Sequence, residues 1–148
     1  MIGTMHASRV SPIHIETSMQ YDHIKVPADG EAITANRDYS INVPDFPIVP
    51  FIEGDGIGID VTPVMLDVVN EAVAKAYGDK RQIKWMQIYA GQRAADIYGN
   101  EHYLPDETLH ALTNYIVSIK GPLQTPVGGG IRSLNVSIRQ ILDLYACV

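Results

Sequence analysis

The chain has 148 residues, of which 46% are hydrophobic and 19% charged, and this size and composition are those of one globular domain with its own core. Its 11 basic and 17 acidic residues give a net charge of −6, which argues against nucleic acid or an anionic membrane as the main partner. The single cysteine, Cys147, excludes an intramolecular disulfide and is typical of a reducing compartment. No apolar run approaches the ~20 residues needed to span a bilayer.

The first 20 residues differ from the rest of the chain. They show no helical or strand period, and they lack the basic start and apolar centre of a secretory signal. Met5 and Met19 are alternative translation starts. We therefore predict that residues 1–20 are a disordered extension or lie upstream of the true start.

Alternating strand and helix patterns in the remaining residues predict an α/β fold. Runs of β-branched and aromatic residues predict strands, and apolar residues at three- and four-residue steps predict helices. The first two strands are expected to form a small edge ribbon. In chain order, the predicted strands are 24–26, 39–43, 46–52, 83–89 and 115–119, and the predicted helices are 57–77, 91–97, 105–114 and the run that follows Ser133.

Two expectations about packing follow from these patterns. Pro47 and Pro50 cannot donate to a sheet ladder, so the strand 46–52 is expected at the edge of the sheet or in a shortened form. The helix 57–77 is expected to pack an apolar face into the core. That face comprises Val61, Val64, Met65, Val68, Ala72 and Ala76.

A glycine-rich turn at 53–58 joins the strand 46–52 to this helix. A strand, a glycine turn and a helix bind dinucleotides in the Rossmann fold when the glycines follow the spacing G-x-G-x-x-G. Counting from Gly54, the third glycine would fall at position 59, which is Ile59. No acidic residue follows a second strand at the required distance either. We therefore reject a Rossmann fold.

Side chains suited to anion binding gather in the segment 120–145. Three consecutive glycines, 128–130, precede a helix in which Ser133 is placed to cap the first turn. Asn135 and Arg139 are four residues apart and lie on one helical face. A helix start with a hydroxyl, an amide and a guanidinium suits a carboxylate or a phosphate. From spacing alone, a surface loop followed by an ordinary capped helix is the simpler alternative. The apolar face of the helix is predicted from Leu134, Ile138, Ile141 and Leu142.

The residues give no indication of a metal site or of a phosphate-binding Walker loop. None of the five histidines has the spacing of a helical metal pair. The Gly-Lys-Ser/Thr ending of a Walker loop is absent after Gly128.

Three longer segments carry a resemblance to a known family. They are KGPLQTPVGGGIRSLNVSIRQILDLY at 120–145, NVPDFPIVPFIEGDGIGIDVTP at 42–63 and KWMQIYAG at 84–91. From about residue 23 to its end, the chain resembles the isocitrate/isopropylmalate dehydrogenases, a family of β-decarboxylating enzymes. Ser133 and Asn135 indicate the NADP-dependent isocitrate branch, because the isopropylmalate branch carries a leucine- and arginine-rich run at this place.

The resemblance implies an isocitrate/isopropylmalate dehydrogenase-like fold whose large domain is built from both ends of a longer chain. Residues 21–144 would be the N-terminal part of that large domain, and residues 145–148 the start of the small domain. The full-length relatives oxidise and decarboxylate isocitrate to 2-oxoglutarate, reduce NADP and use Mg²⁺ or Mn²⁺. By resemblance we expect a cytoplasmic homodimer, with no nucleic acid or membrane partner. We expect the 148-residue chain to be inactive alone.

The resemblance also assigns roles to individual residues. Ser133, Asn135 and Arg139 match residues that bind the carboxylates of isocitrate. Gln124, Thr125 and Asn135 match residues near the nicotinamide end of NADP, although most relatives have threonine where Gln124 stands. The serine that matches Ser133 is phosphorylated in some enteric relatives, which makes Ser133 a candidate phosphorylation site. The metal ligands and the general acid would lie outside this chain.

Two alternatives remain open. The chain could belong to a related β-decarboxylating dehydrogenase that acts on isopropylmalate or homoisocitrate, against which Ser133 and Asn135 together argue. It could also be a non-catalytic regulatory or assembly module that associates with a full-length partner.

Overall fold

The main sheet is built on two buried parallel strands, β4 (Pro47–Ile52) and β5 (Lys84–Ile88). The computed structural model describes residues 20–99, 102–124 and 132–144. Two short strands, β1 (Glu31–Ala32) and β6 (Ile119–Lys120), also pair in parallel with β4. A separate antiparallel pair consists of β2 (Thr34–Ala35) and β3 (Ile41–Asn42).

The described residues form four α-helices, close to the positions that the sequence pattern predicted. They are α1 (Gly58–Tyr77), α2 (Gln92–Tyr98), α3 (Asp106–Asn114) and α4 (Leu134–Ile141). Within the described ranges, none of the helices combines the length and apolarity needed to cross a bilayer.

The core lies on one face of the sheet. Side chains alternate between the two faces of a strand, so Ile52 of β4 and Met86 and Ile88 of β5 point to the same side and are almost fully buried. They pack with buried residues of α3 and α4, including Ala111, Leu134 and Ile138. Of the predicted apolar face of α4, Leu134 and Ile138 are buried and Leu142 packs against the core, whereas Ile141 is exposed. The opposite sheet face contacts α1, where Trp85 Nε1 donates to Asn70 Oδ1 at 2.8 Å.

β4 is a central strand, so the edge position expected from its prolines is wrong. Phe46 O and Ile52 O accept hydrogen bonds from the N–H groups of Glu31 and Gly121. The backbone groups of the even-numbered residues of β4 therefore point towards β1 and β6. The backbone nitrogen of Pro50, which carries no hydrogen, therefore faces the gap between these two short strands. Neither strand pairs with β4 at this position, so no sheet hydrogen bond is lost. Pro47 is the first residue of the strand, where proline is tolerated.

Two strand predictions also need correction. Residues 24–26 form no strand, and Ile24 instead inserts alone into the core before Pro27. A separate ribbon does form, but β3, within the predicted strand 39–43, pairs with β2 and not with 24–26, and the unpredicted β1 joins the main sheet. The strand expected at 115–119 is reduced to β6, because the Tyr115 N–H donates to Ala111 O at 3.0 Å and ends α3 there.

α1 presents a different face to the protein from the one expected. Val61, Val64 and Val68 are 46%, 60% and 62% exposed. The buried residues of the helix are Gly58 and Thr62, and the Thr62 hydroxyl donates to Glu53 O at 2.7 Å. This contact, together with the close packing of Gly58 on Pro122, turns the valine stripe outward.

Two valines test this assignment because they differ in burial and not in chemistry. We expect Val64→Ala to change the free energy of unfolding by about 0.5 kcal/mol or less, since an exposed site loses little burial and alanine favours a helix. Val49→Ala in β4, where Val49 is 6% exposed, should cost about 2 kcal/mol. Urea unfolding followed by circular dichroism measures both. Equal losses would contradict the outward orientation of the stripe.

Candidate functional site

The carboxyl ends of parallel strands meet at one edge of the sheet, and three turns converge there. In α/β proteins ligands bind in the crevice outside these strand ends. The turn after β4 contacts the segment after β6, because the Asp55 N–H donates to Pro122 O at 2.7 Å and the Gly121 N–H donates to Ile52 O at 2.8 Å. The turn after β5 joins them through the Gln92 N–H, which donates to Asp55 Oδ1 at 2.9 Å. This edge is the candidate site.

Asn135 in the first turn of α4 is fastened to the segment that leaves β6. Its Nδ2 donates to Leu123 O at 3.0 Å. Its Oδ1 accepts a hydrogen bond from Lys120 Nζ at 2.7 Å, and the same ammonium donates to Gly121 O at 2.8 Å. The start of α4 is therefore held against the end of β6, with a lysine at the junction.

Lys120 and Arg139 form a pair of neighbouring cations. Partial burial and the nearby Arg139 guanidinium lower the pKa of Lys120 below its ordinary value, while Asp55 acts in the opposite direction. The ion pairs among the described residues are Arg81–Asp45 and Lys84–Asp29, so no carboxylate there forms an ion pair with Lys120 or Arg139. Two cations without paired acids suit a ligand that carries carboxylates.

Ser133 occupies the N-cap position of α4, as predicted, but its hydroxyl makes no capping hydrogen bond. Its carbonyl oxygen instead accepts hydrogen bonds from the N–H groups of Val136 and Ser137, at 3.0 and 2.9 Å. Capping by the side chain was the wrong expectation, because at this helix start the hydroxyl is not directed at the first-turn amides. Ser133 is half-buried and lies six residues, somewhat less than two helical turns, before Arg139.

Gln124 ends the described part of the segment after β6. Its backbone N–H donates to Asp55 Oδ2 at 2.9 Å, and its side chain is exposed. A Cβ added to Gly56 would stand 3.7 Å from Gln124 Nε2, so the amide lies over the glycine turn. Thr125, the other predicted cofactor residue of this segment, lies outside the described residues, as do Gly128, Gly129 and Gly130.

The structure thus adds Lys120 and Asp55 to the residues singled out in the sequence. Both were part of recognised motifs, but neither was given a role. The available signal was position, since each is a charged residue at or just past the end of a parallel strand, where α/β proteins bind ligands. Their contacts with α2, α4 and Gln124 could not be read from local spacing.

Within residues 20–99, 102–124 and 132–144 no group of three His, Cys, Asp or Glu side chains is arranged to hold a metal ion. The Mg²⁺ or Mn²⁺ implied by the resemblance therefore finds no ligand set among these residues. We derive no metal-dependent step from them.

Comparison with known proteins decides the family. The family model described as isocitrate/isopropylmalate dehydrogenase matches residues 48–148. The chain belongs to the isocitrate/isopropylmalate dehydrogenase family. Among solved structures, the crystal structure of isocitrate dehydrogenase from Methylococcus capsulatus matches with a TM-score of 0.50 and 42% identity, covering 66% of this chain and 26% of that one. The fold class predicted from the sequence is confirmed.

Similar proteins in this family come from distant organisms. Isocitrate dehydrogenase (NADP) of Coxiella burnetii is 63% identical over 128 residues, which are 86% of this chain and 30% of the relative. The Pseudomonas aeruginosa protein of the same name is 60% identical over 129 residues, 87% of this chain and 31% of the relative. The Archaeoglobus fulgidus protein is 52% identical over 130 residues, 88% of this chain and 30% of the relative. This member of the isocitrate/isopropylmalate dehydrogenase family thus spans about 30% of the length of these relatives.

Proposed function

We propose that this chain supplies substrate and nicotinamide contacts to an NADP-dependent isocitrate dehydrogenase, which converts isocitrate to 2-oxoglutarate and carbon dioxide while reducing NADP. The observation that carries the proposal is the junction of Lys120 with Asn135 beside Arg139 at the carboxyl edge of the sheet. The high identity to proteins named isocitrate dehydrogenase (NADP) supports the choice of substrate and cofactor.

Four residues, Lys120, Ser133, Asn135 and Arg139, act by holding and orienting an anion. Isocitrate carries three carboxylates, and charge-assisted hydrogen bonds from Arg139 and Lys120 hold two of them in a fixed geometry. The Ser133 hydroxyl and the Asn135 amide add neutral donors, because a reoriented Asn135 can exchange its bond to Leu123 O for one to the ligand. Fixing the carboxylates fixes the hydroxyl-bearing carbon from which the hydride leaves.

The nicotinamide side of the site is assigned to Gln124, Thr125 and Asn135. Bound NADP supplies the hydride acceptor. Gln124 supports its ring from a backbone that Asp55 holds in place, and its amide side chain offers a donor at the position where most relatives have threonine. We further propose that the protein is a cytoplasmic homodimer. Its single cysteine suits a reducing compartment such as the cytoplasm.

The direct test replaces the aligned 128-residue segment of the Coxiella burnetii enzyme with this chain. We expect the chimera to form NADPH from isocitrate in the presence of Mg²⁺, and the isolated 148-residue chain to form none. Isopropylmalate and homoisocitrate serve as competing substrates. A chimera that folds and uses one of them in place of isocitrate would refute the substrate assignment, and one that folds and uses none would favour a non-catalytic role.

Substitution of two arginines in the same segment distinguishes a specific contact with isocitrate from a general effect of positive charge. We expect Arg139→Gln in the chimera to raise the KM for isocitrate about 10- to 100-fold, because a hydrogen bond to a charged group contributes roughly 1.5–3 kcal/mol. Arg132→Gln is the matched control, since Arg132 is exposed and donates to Gln140 Oε1 at 2.6 Å. Its KM should change less than about twofold. Steady-state kinetics at saturating NADP measures both, and equal effects would count against the role of Arg139.

A further inference from the structure

Asp55 is a buried carboxylate that joins three separate parts of the chain. It is 7% exposed and stands in the glycine turn after β4. Its Oδ1 accepts the N–H of Gln92 at the start of α2, and its Oδ2 accepts the N–H of Gln124, both at 2.9 Å. Its own N–H donates to Pro122 O at 2.7 Å. Each carboxylate oxygen therefore has one backbone donor.

The carboxylate of Asp55 is closely packed against the backbone of the neighbouring turn. A Cβ added to Gly91 would overlap the carboxylate, so the backbone of Gly91 packs directly against it. A charged acceptor that receives two N–H groups in a buried place forms stronger hydrogen bonds than a neutral side chain would. The carboxylate therefore fixes the distance between the turn before α2 and the backbone of Gln124.

We propose that Asp55 is the positioning residue of the nicotinamide side of the site, and that it acts by holding the backbone of Gln124 at the point where the chain continues into Thr125. This inference rests on the proposed function for the identity of the bound cofactor. It assigns Asp55 no contact with substrate or cofactor. The carboxylate instead sets the position from which Gln124 reaches the ligand.

Asp55→Asn in the chimera tests the inference, because an amide is nearly isosteric but has one acceptor where the carboxylate has two. One of the two backbone N–H groups must then face an NH₂ group. We expect the KM for NADP to rise about 10-fold and at least three times more than the KM for isocitrate. We also expect amide hydrogen exchange in a peptide that contains Gln124 to become at least about 10-fold faster.

Glu107→Gln is the matched control. Glu107 is also 7% exposed and also accepts a backbone N–H, from Asp22 at 2.8 Å, together with the hydroxyl of Tyr98. None of its partners belongs to the site. This variant should lower stability without changing the ratio of the two KM values or the exchange of Gln124. Equal changes of that ratio in both variants would overturn the proposal.

The outcomes separate the positioning role from the proposed function. If the parent chimera forms no NADPH, the proposed function fails, and exchange at Gln124 alone decides the role of Asp55. If Asp55→Asn does not fold, exchange of the Gln124 N–H in the parent chimera decides, because a hydrogen bond to the buried Asp55 carboxylate must slow that exchange. Exchange as fast as in an unfolded peptide would overturn the proposal. If Asp55→Asn folds, unchanged exchange at Gln124 would overturn it.

Discussion

Ser133→Asp in the chimera should weaken isocitrate binding by about 100- to 1,000-fold. The new carboxylate would stand at the N-cap of α4, two residues before Asn135 and somewhat less than two turns before Arg139. Two unit charges about 4 Å apart interact by roughly 4 kcal/mol near a protein surface, which corresponds to about 1,000-fold in affinity, and partial solvent access reduces this. The introduced charge would repel the substrate carboxylates and pair with the cations that hold them.

The same substitution should not destabilise the protein, and this separates charge from damage. Aspartate is a favoured N-cap residue and stabilises a helix start, where the Ser133 hydroxyl makes no capping bond. Ser133→Asn is the control, since asparagine has nearly the same size and is neutral. We expect it to weaken binding less than about 10-fold, the loss of one neutral hydrogen bond. Titration calorimetry with isocitrate and Mg²⁺ measures the Kd values.

Comparable losses for Ser133→Asp and Ser133→Asn would show that size, not charge, limits the site. They would also remove the physical basis for proposing Ser133 as a phosphorylation switch. A phosphate carries up to two negative charges, so its effect should exceed that of aspartate.

Gly54→Ala should cost about 4 kcal/mol of unfolding free energy. Gly54 has φ of +93°, where side chains other than hydrogen are strained, and a Cβ there would overlap Pro122 O and approach Pro122 N at 2.9 Å. Backbone strain of this kind contributes ~1–3 kcal/mol. The overlap adds to it, because the obstacle is backbone and belongs to the segment between β6 and Gln124, which Asp55 also holds.

Gly99→Ala isolates the strain from the overlap. Gly99 has φ of +98°, almost the same as Gly54, but a Cβ there would meet no atom of the described residues within 4 Å. We expect a loss of about 1–2 kcal/mol, the cost of the backbone conformation alone. Urea unfolding of both variants gives the difference. Equal losses would mean that the turn at Gly54 relaxes away from Pro122, and the close contact of the two segments would then be weaker than the structure indicates.

The sequence predicted the helices well because their periodicity is local. It could not predict which side of α1 would be buried, since an apolar stripe does not reveal its partner, and the Thr62 bond to Glu53 O outweighs the valines. The central place of β4 was hidden because a proline is acceptable in mid-sheet when its missing N–H faces a gap between partners, and such gaps depend on the pairing of distant strands.

The residues of the candidate site also fall into those that the sequence predicted and those that it missed. Ser133, Asn135 and Arg139 came from resemblance, because a capped helix alone does not distinguish a ligand site from an ordinary surface. Lys120 was missed because its hydrogen-bond partner, Asn135, is distant in the chain. Local sequence patterns do not predict how the segment between them folds back. Asp55 was missed because its acceptors meet donors from α2 and from Gln124, which are far away in the chain.

The pairing order of the main sheet has a consequence for synthesis on the ribosome. β4 meets β5 after a single crossover through α1, whereas it meets β6 only after β5, α2 and α3 have also been made. Contacts between distant residues form slowly, since long loops must close first. The β4–α1–β5 unit can therefore assemble while β6 is still inside the exit tunnel, and the candidate site at the carboxyl edge of the sheet is completed last. Until then the central strand has an open side, and this interval is when the nascent chain is most exposed to misassociation.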